Sequence, residues 1–487
     1  MEYICADDFL VSYYQNIVNL YYTNCFVNTY CSFTPSGAFY TIQGKNTYDE
    51  NNNACDLLDI SFPNMKYSIT NGTNTGSLIS NLTGNFTIPV QAGTHTLTAI
   101  LENPTYFNIS PTSTIVNFPA TASPATQDFC ITANGVHNDL EVILMPVGPA
   151  RPGFDVLYKI VYKNKGNQTL SGAVNVTFED DVLDFVSANP ITTTQSLNNL
   201  FWNFTNLLPF ETREIIFTLN LNSPLETPPV DSGYLLNFTT SISNIADETP
   251  LDNSASLEQI VTNSYDPNDK TCLEGTTITP SMVGNYVHYM IRFENNGTGN
   301  AQNIVVKDVI DTSKFDISTL VPLSGSHSFE TRITNTNNVE FIFQNINLPF
   351  ANETNDGYVT FKIKTKPTLV LGNSFSNTAN IYFDYNAPIV TNEATTTVAN
   401  VLSNQDFVFS NYLSISPNPA KDFLNLKMKQ DIDISTISIY NVLGQVVQII
   451  PNAKNTQTID VSSLKTGNYI IKIVSDKGTS SSKFIKE

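Results

Sequence analysis

The stretch "YKIVYKNKGN", Tyr158–Asn167, decides the fold. Apolar and polar residues alternate along it and it ends in an Asn-x-Gly turn, the pattern of a half-buried strand entering a hairpin. It returns as "YMIRFENNGT", Tyr289–Thr298, at a constant offset of 131 that places Tyr158 on Tyr289, Asn164 on Asn295 and Gly166 on Gly297. A second echo, "LPF" at Leu208–Phe210 and again at Leu348–Phe350, follows in the same order. A strand, turn, strand order recurring with a period near 135 residues predicts two copies of one β-sandwich, 129–262 and 263–400.

Outward from these copies the chain also reads as β. Between 37 and 118, short alternating runs are broken by Asn-Gly, Thr-Gly and Ala-Gly turns, which predicts a further small sandwich of hairpins. The segment 119–128, "PATASPATQD", is small, polar and proline-bearing and reads as a linker. One helix is expected: "DDFLVSYYQNIVNLYY" carries apolar residues at helical spacing behind the cap residue Asp7, inside a junction segment 1–36. At the other end, 411–487 reads as a compact sandwich in its own right. The fold class is therefore all-β, with tandem immunoglobulin-like or prealbumin-like sandwiches and a small C-terminal one.

Charge separates that last unit from the rest. It carries +3, while the preceding 410 residues carry −23. The overall net charge of −20 argues against nucleic acid or an anionic membrane surface as partner. No apolar run is long enough for a transmembrane span. The six cysteines are even in number and form no paired CxxC, so disulfides are favoured over zinc, with buried reduced thiols as the alternative and connectivity open.

The two repeats resemble immunoglobulin-like domains of bacterial cell-surface proteins. In the second copy, "SYDPNDKTCLEG" and "NIYFDYNAPIVTNEATTTV" are similar to the hallmarks of a version frequent in Bacteroidetes, which implies adhesive or spacing modules. The end of the chain resembles the type A C-terminal sorting domain of the type IX secretion system. The resemblance lies in Pro417, Asn418 and Pro419 of "SPNPAKDF", Leu443 and Gly444 of "LGQVV", Leu464, Gly467 and Tyr469 of "SLKTGNYIIKI", and the basic terminal strand with Lys483 and Lys486.

That resemblance implies recognition of 411–487 by the type IX translocon and its sortase. It implies a secreted or outer-membrane cell-surface location, with attachment to surface lipopolysaccharide or release. The N-terminus shows no signal peptide, and its first forty residues resemble a junction that follows a leucine-rich-repeat array, so an N-terminally truncated product is expected.

Catalytic motifs are missing from the reading. His95, His137, His288 and His327 are scattered, and neither GxSxG nor a P-loop is present. The acidic run Glu179–Asp181 reads as a solvated edge, and Trp202 as core more readily than as a sugar-stacking surface. The metal candidate is "YDENNNACD", where Asp49, Asn51, Asn53 and Asp56 offer oxygen ligands suited to Ca²⁺, although Ala54 stands where a sharp turn prefers glycine. It resembles loops of prealbumin-like and adhesin B-type sandwiches, and an Asn-rich hairpin is the competing reading. A weaker candidate is Asp266, Asn268 and Asp269 of "YDPNDK". The expectation is a non-enzymatic adhesion or spacer protein binding a polysaccharide or host-surface ligand. The rivals are a carbohydrate-binding accessory protein and the remnant of an enzyme with its catalytic domain upstream.

Overall fold

The computed structural model describes residues 3–6, 8–21, 25–30, 33, 38–243, 247–263, 267–350, 354–384, 386–400, 409–441, 445–451, 453–454, 456–475 and 478–487. Residues 1–400 form one compact unit and 401–487 a second.

The repeated strands occupy the same place in their sandwiches. Asp155–Asn164 lies between Leu140–Pro146 and Thr212–Leu221, and Tyr286–Glu294 lies between Lys270–Cys272 and Asp356–Thr365. Tyr158 and Tyr289 are both buried inward. The asparagine of each turn makes the same bonds. Asn164 Oδ1 accepts from Gly166 N at 3.0 Å while its Nδ2 donates to Leu207 O at 3.0 Å; Asn295 Oδ1 accepts from Gly297 N at 3.0 Å while its Nδ2 donates to Leu348 O at 3.0 Å. One side chain thus ties the hairpin to a distant strand in both copies. Gly166 admits no Cβ, which would stand 2.3 Å from His137 O. The second echo shifts by one residue: Leu207, fully buried, matches Leu348, whereas Leu208 is exposed.

The boundary between the first sandwich and the first copy moves. Phe129–Ala133, expected to open the copy, instead pairs in parallel with Tyr40–Asp49 and antiparallel with Phe107–Ser110. Ala125–Thr126, inside the expected linker, also pairs with Tyr40–Asp49. Phe129 and Ile131 alternate into a core with Tyr67, Phe86 and Phe118, so burying them outweighs the polar residues before them. Cys130, between the two, is disulfide-bonded to Cys55, 75 residues earlier. Cys25 and Cys272 are buried free thiols, so both readings of the cysteines apply in one chain.

The body is also not a row of separate modules. Thr75–Ile79 of the first sandwich pairs antiparallel with Glu330–Thr334 of the second copy, through Thr331 to Ile79 and Ile333 to Ser77. A nine-stranded sheet therefore runs unbroken through both domains. Two edges that would each leave N–H and C=O groups unpaired satisfy one another. Ile79 and Ile333 are buried at the seam.

The expected helix spans Asp8–Tyr21, with Asp7 outside the described residues. It connects two parallel strands, Tyr3–Cys5 and Phe26–Asn28, and buries Val18 against Cys25 and Val27. The chain then seats Tyr30 on the second copy, not on the first sandwich. Its hydroxyl donates to Glu340 Oε1 at 2.5 Å and its ring meets Tyr382 edge-on.

In the second unit Leu413–Ser416, Phe423–Met428 and Thr458–Asp460 form one sheet. Val446–Pro451, Ile434–Asn441, Gly467–Ser475 and Gly478–Lys486 form the other. Leu424, Ile437, Ile439, Ile471, Ile473 and Phe484 fill the space between them.

Candidate functional site

The Asn-rich loop is an Asx network. Asp49 Oδ1 accepts from Asn53 N at 3.1 Å and its Oδ2 from Ala54 N at 2.9 Å, while Asn51 Oδ1 accepts from the same Asn53 N at 3.1 Å. Asp56 Oδ1 accepts from Leu58 N at 2.7 Å, and Asn53 Nδ2 lies 3.5 Å from Asp56 Oδ2. These oxygens hold the hairpin's own N–H groups, as an Asx turn does, and calcium would have to displace them. Ala54 sits at φ 78°, where a side chain costs energy that glycine avoids. In the second candidate, Asp269 is a bidentate partner of Arg292, at 2.7 and 2.6 Å, and Asn268 Oδ1 accepts from Glu294 N at 3.1 Å. Asp266 lies outside the described residues.

The histidines stay apart. His95 Nε2 faces Gln91 O, His288 Nδ1 faces Glu274, and His327 Nδ1 faces Ser326 Oγ. His137 stacks on Tyr106 with both nitrogens against acceptors, Glu248 at 2.8 Å and Asn134 O at 2.7 Å, and the hydrogen bond to Glu248 raises its pKa. Glu179 is not a solvated edge, since it accepts from Tyr234 Oη at 2.9 Å and Asn237 N at 3.1 Å. Trp202 is core, its Nε1 donating to Pro190 O at 3.0 Å.

The chief feature of the body that pattern reading missed is a cation where three sandwiches meet. Lys362, wholly buried, lies 2.8 Å from Glu102 of the first sandwich and 2.5 Å from Glu141 of the first copy, over the ring of Tyr286 at 4.5 Å. Burial works against the ammonium, but Glu102 and Glu141 outweigh it and hold its pKa above the ordinary lysine value. Burial likewise pushes both carboxyls up, and Lys362 outweighs it, holding them below the usual range. Nearby, the carboxylates of Asp139, Asp247 and Asp252 lie within 4.8 Å of one another, and Lys165 pairs with Asp139 and Asp252. Burial pushes Asp252 up to about 6 against the pull of Lys165. The only sequence signal for Lys362 was a lysine in the middle of an apolar strand, "VTFKIKT".

A groove of about 770 Å³ opens between the two copies, bordered by Leu235, Glu258, Ile260, Arg292 and Glu393. Among the described residues, no aromatic ring lines it.

In the second unit the Pro-Asn-Pro stretch is tied to the end of the chain. Asn418 Oδ1 accepts from Ile485 N at 2.9 Å, Ala420 N donates to Ile485 O at 2.8 Å and Glu487 N to Ala420 O at 2.9 Å. The peptide bonds before Pro417 and Pro419 are cis, and both prolines are exposed. Tyr469 stacks on Phe484 at 5.6 Å and donates to Lys465 O at 2.8 Å, while Leu464 is half-buried beside the core and Gly467 begins its strand. Leu443 and Gly444 lie outside the described residues, and Asn441 N donates to Gln445 O at 3.0 Å.

Residues 414–487 match the family model of the secretion system C-terminal sorting domain. The chain carries a type IX sorting domain. Its two signature segments, 67 residues apart at Asn418 and Ile485, form one hydrogen-bonded element only after folding, with Lys483 exposed and Lys486 turned to Glu487 O. Residues 266–397 match a domain of unknown function, DUF7619, which falls within the second copy. A comparison with curated proteins finds no match. Among solved structures, the major pilin BcpA of Bacillus cereus is 11% identical, with 74% of this chain and 96% of the pilin covered at a TM-score of 0.19. A collagen-binding domain from a Staphylococcus aureus adhesin is 18% identical, covering 28% and 100% at a TM-score of 0.20. The CARDB domain of PF1109 from Pyrococcus furiosus is 17% identical, covering 26% and 90% at a TM-score of 0.18. At those scores the likenesses add nothing to the argument. The sorting domain marks the chain for secretion or cell-surface attachment.

Proposed function

We propose that the chain passes the outer membrane through the type IX translocon, and that residues 1–400 then act at the surface as one non-enzymatic binding body. The observation that supports it is the sorting domain joined to a body whose sheets are continuous across two sandwiches. A body of that kind presents one surface, where separate beads would present several. The sortase would act near the 401–410 stretch, and surface lipopolysaccharide would be the anchor. The groove between the copies is the place for a ligand. Its charged border at Glu258, Arg292 and Glu393, with no aromatic ring among the described lining residues, favours a peptide or other polar partner.

Mass spectrometry of surface and medium fractions, with and without a working translocon, tests the reading. Body peptides outside, loss of peptides from "ISPNPAKDF" onward, and periplasmic retention when the translocon is blocked are expected. An intact chain held in the cytoplasm would refute it.

A further inference from the structure

The second copy contains three polar side chains in its core that ion pairing alone does not explain. Lys270 starts the first strand of the copy, Asp308 lies on Ile304–Val309 in the facing sheet, and Asn377 ends Ser374–Asn377. The side chains of Lys270 and Asp308 are fully buried and Asn377 is nearly so. The Lys270 ammonium nitrogen donates to Asp308 Oδ2, and Asn377 Nδ2 donates to that same oxygen at 3.3 Å. An amine, a carboxyl and a primary amide therefore converge on one atom, with the Tyr289 and Phe361 rings 4.9 and 5.4 Å from Lys270 Nζ. Asp308 Oδ1 and Tyr289 Oη have no hydrogen-bond partner among the described residues. A dry pocket stabilises a neutral arrangement better than an ion pair.

We propose that Lys270 and Asn377 become joined by an intramolecular amide bond, with Asp308 as the catalytic carboxyl that moves the protons. Burial lowers the pKa of Lys270 and raises that of Asp308, which favours a neutral amine beside a protonated acid. The amine is then nucleophilic, and the acid can donate to the amide carbonyl once the Asn377 side chain turns its oxygen toward Asp308. The Nζ lone pair attacks Asn377 Cγ, and Asp308 protonates the carbonyl oxygen in the tetrahedral intermediate. Collapse breaks Cγ–Nδ2 and re-forms the carbonyl, whose hydroxyl returns its proton to Asp308. The proton shed by the amine passes through Asp308 to the leaving nitrogen, which departs as ammonia. Asp308 ends as it began, and nothing is oxidised or reduced. The bond would close a loop of roughly 100 residues and tie the first strand of the copy to one near its end, removing freedom from the unfolded chain.

The test is the intact mass of the full chain, reduced and denatured, followed by tryptic mapping. A deficit of one ammonia, no cleavage after Lys270, and a branched peptide joining the Lys270 and Asn377 segments are expected. Asp308→Ala, which leaves both reacting groups in place, and the isosteric Asp308→Asn are expected to restore the full mass. A full-mass wild-type chain cleaved normally after Lys270 overturns the proposal. So does a deficit of one water with a branch at Asp308. Cross-linking that persists in both Asp308 variants would remove Asp308 from its role.

Discussion

Replacing Lys362 by Met removes the cation that Glu102 and Glu141 share while keeping most of the side-chain volume. Glu141 is only 6% exposed in its side chain and Glu102 26%, so the first loses nearly all its compensation and the second part of it. Breaking a buried pair by deleting one partner costs about 3–5 kcal/mol, a large share of the ~5–15 kcal/mol that holds a typical domain. Trp202, the single tryptophan, is buried in the first copy, and its fluorescence follows that sandwich during urea unfolding. The pH dependence has a definite sign. In the wild type the two carboxyls titrate below their ordinary range, so their contribution is present above that range and is lost as pH falls through the lowered values. Without Lys362, only Lys165 and Lys163 oppose the burial of Glu141, so its pKa rises relative to the wild type and the variant loses less stability on acidification. The gap between the two proteins should narrow as pH falls through the carboxylate range. A difference below about 1 kcal/mol at neutral pH, or one that does not change with pH, would refute the assignment of this junction as a buried ion triad.

Three further outcomes are expected. Reducing Cys55–Cys130, or replacing both residues by Ser, should destabilise the first sandwich by about 4 kcal/mol on the loop-entropy estimate for its 75-residue separation; an unchanged melting temperature in reductant would contradict this. Ala54→Gly should stabilise by about 1 kcal/mol, because the residue stands at φ 78°; calorimetry showing a loss would mean the loop conformation differs. Phe484→Ala empties a fully buried site in the sorting domain and should cost about 3–5 kcal/mol, seen as a lower unfolding midpoint of that domain and a smaller exported fraction; normal export with an unfolded tail would show that the translocon reads sequence and not fold.

The alternation in "YKIVYKNKGN" and its return were enough to give the sandwich class, because period-2 burial is a property of the strand itself. The turn asparagines Asn164 and Asn295 were legible for the same reason, since their bonds to Gly166 and Gly297 are local. The edge between first sandwich and first copy was not legible. Phe129 and Ile131 alternate equally well on either side of that boundary, and only pairing with Tyr40–Asp49 assigns them. Glu179 looked like part of a solvated acidic run because its donors, Tyr234 and Asn237, lie more than fifty residues away.

The sequence alone determined the all-β class, the internal duplication and the separate basic tail, since each rests on local periodicity, spacing or composition; the sorting elements were legible by resemblance to a known family. Tertiary structure alone decided that Thr75–Ile79 meets Glu330–Thr334, that Lys362 joins Glu102 and Glu141, and that Lys270, Asp308 and Asn377 share one pocket. Those contacts bring together residues dozens to hundreds of positions apart. What selects them is complementary strand edges and the cost of leaving a buried charge unpaired, and neither leaves a periodic mark in the chain.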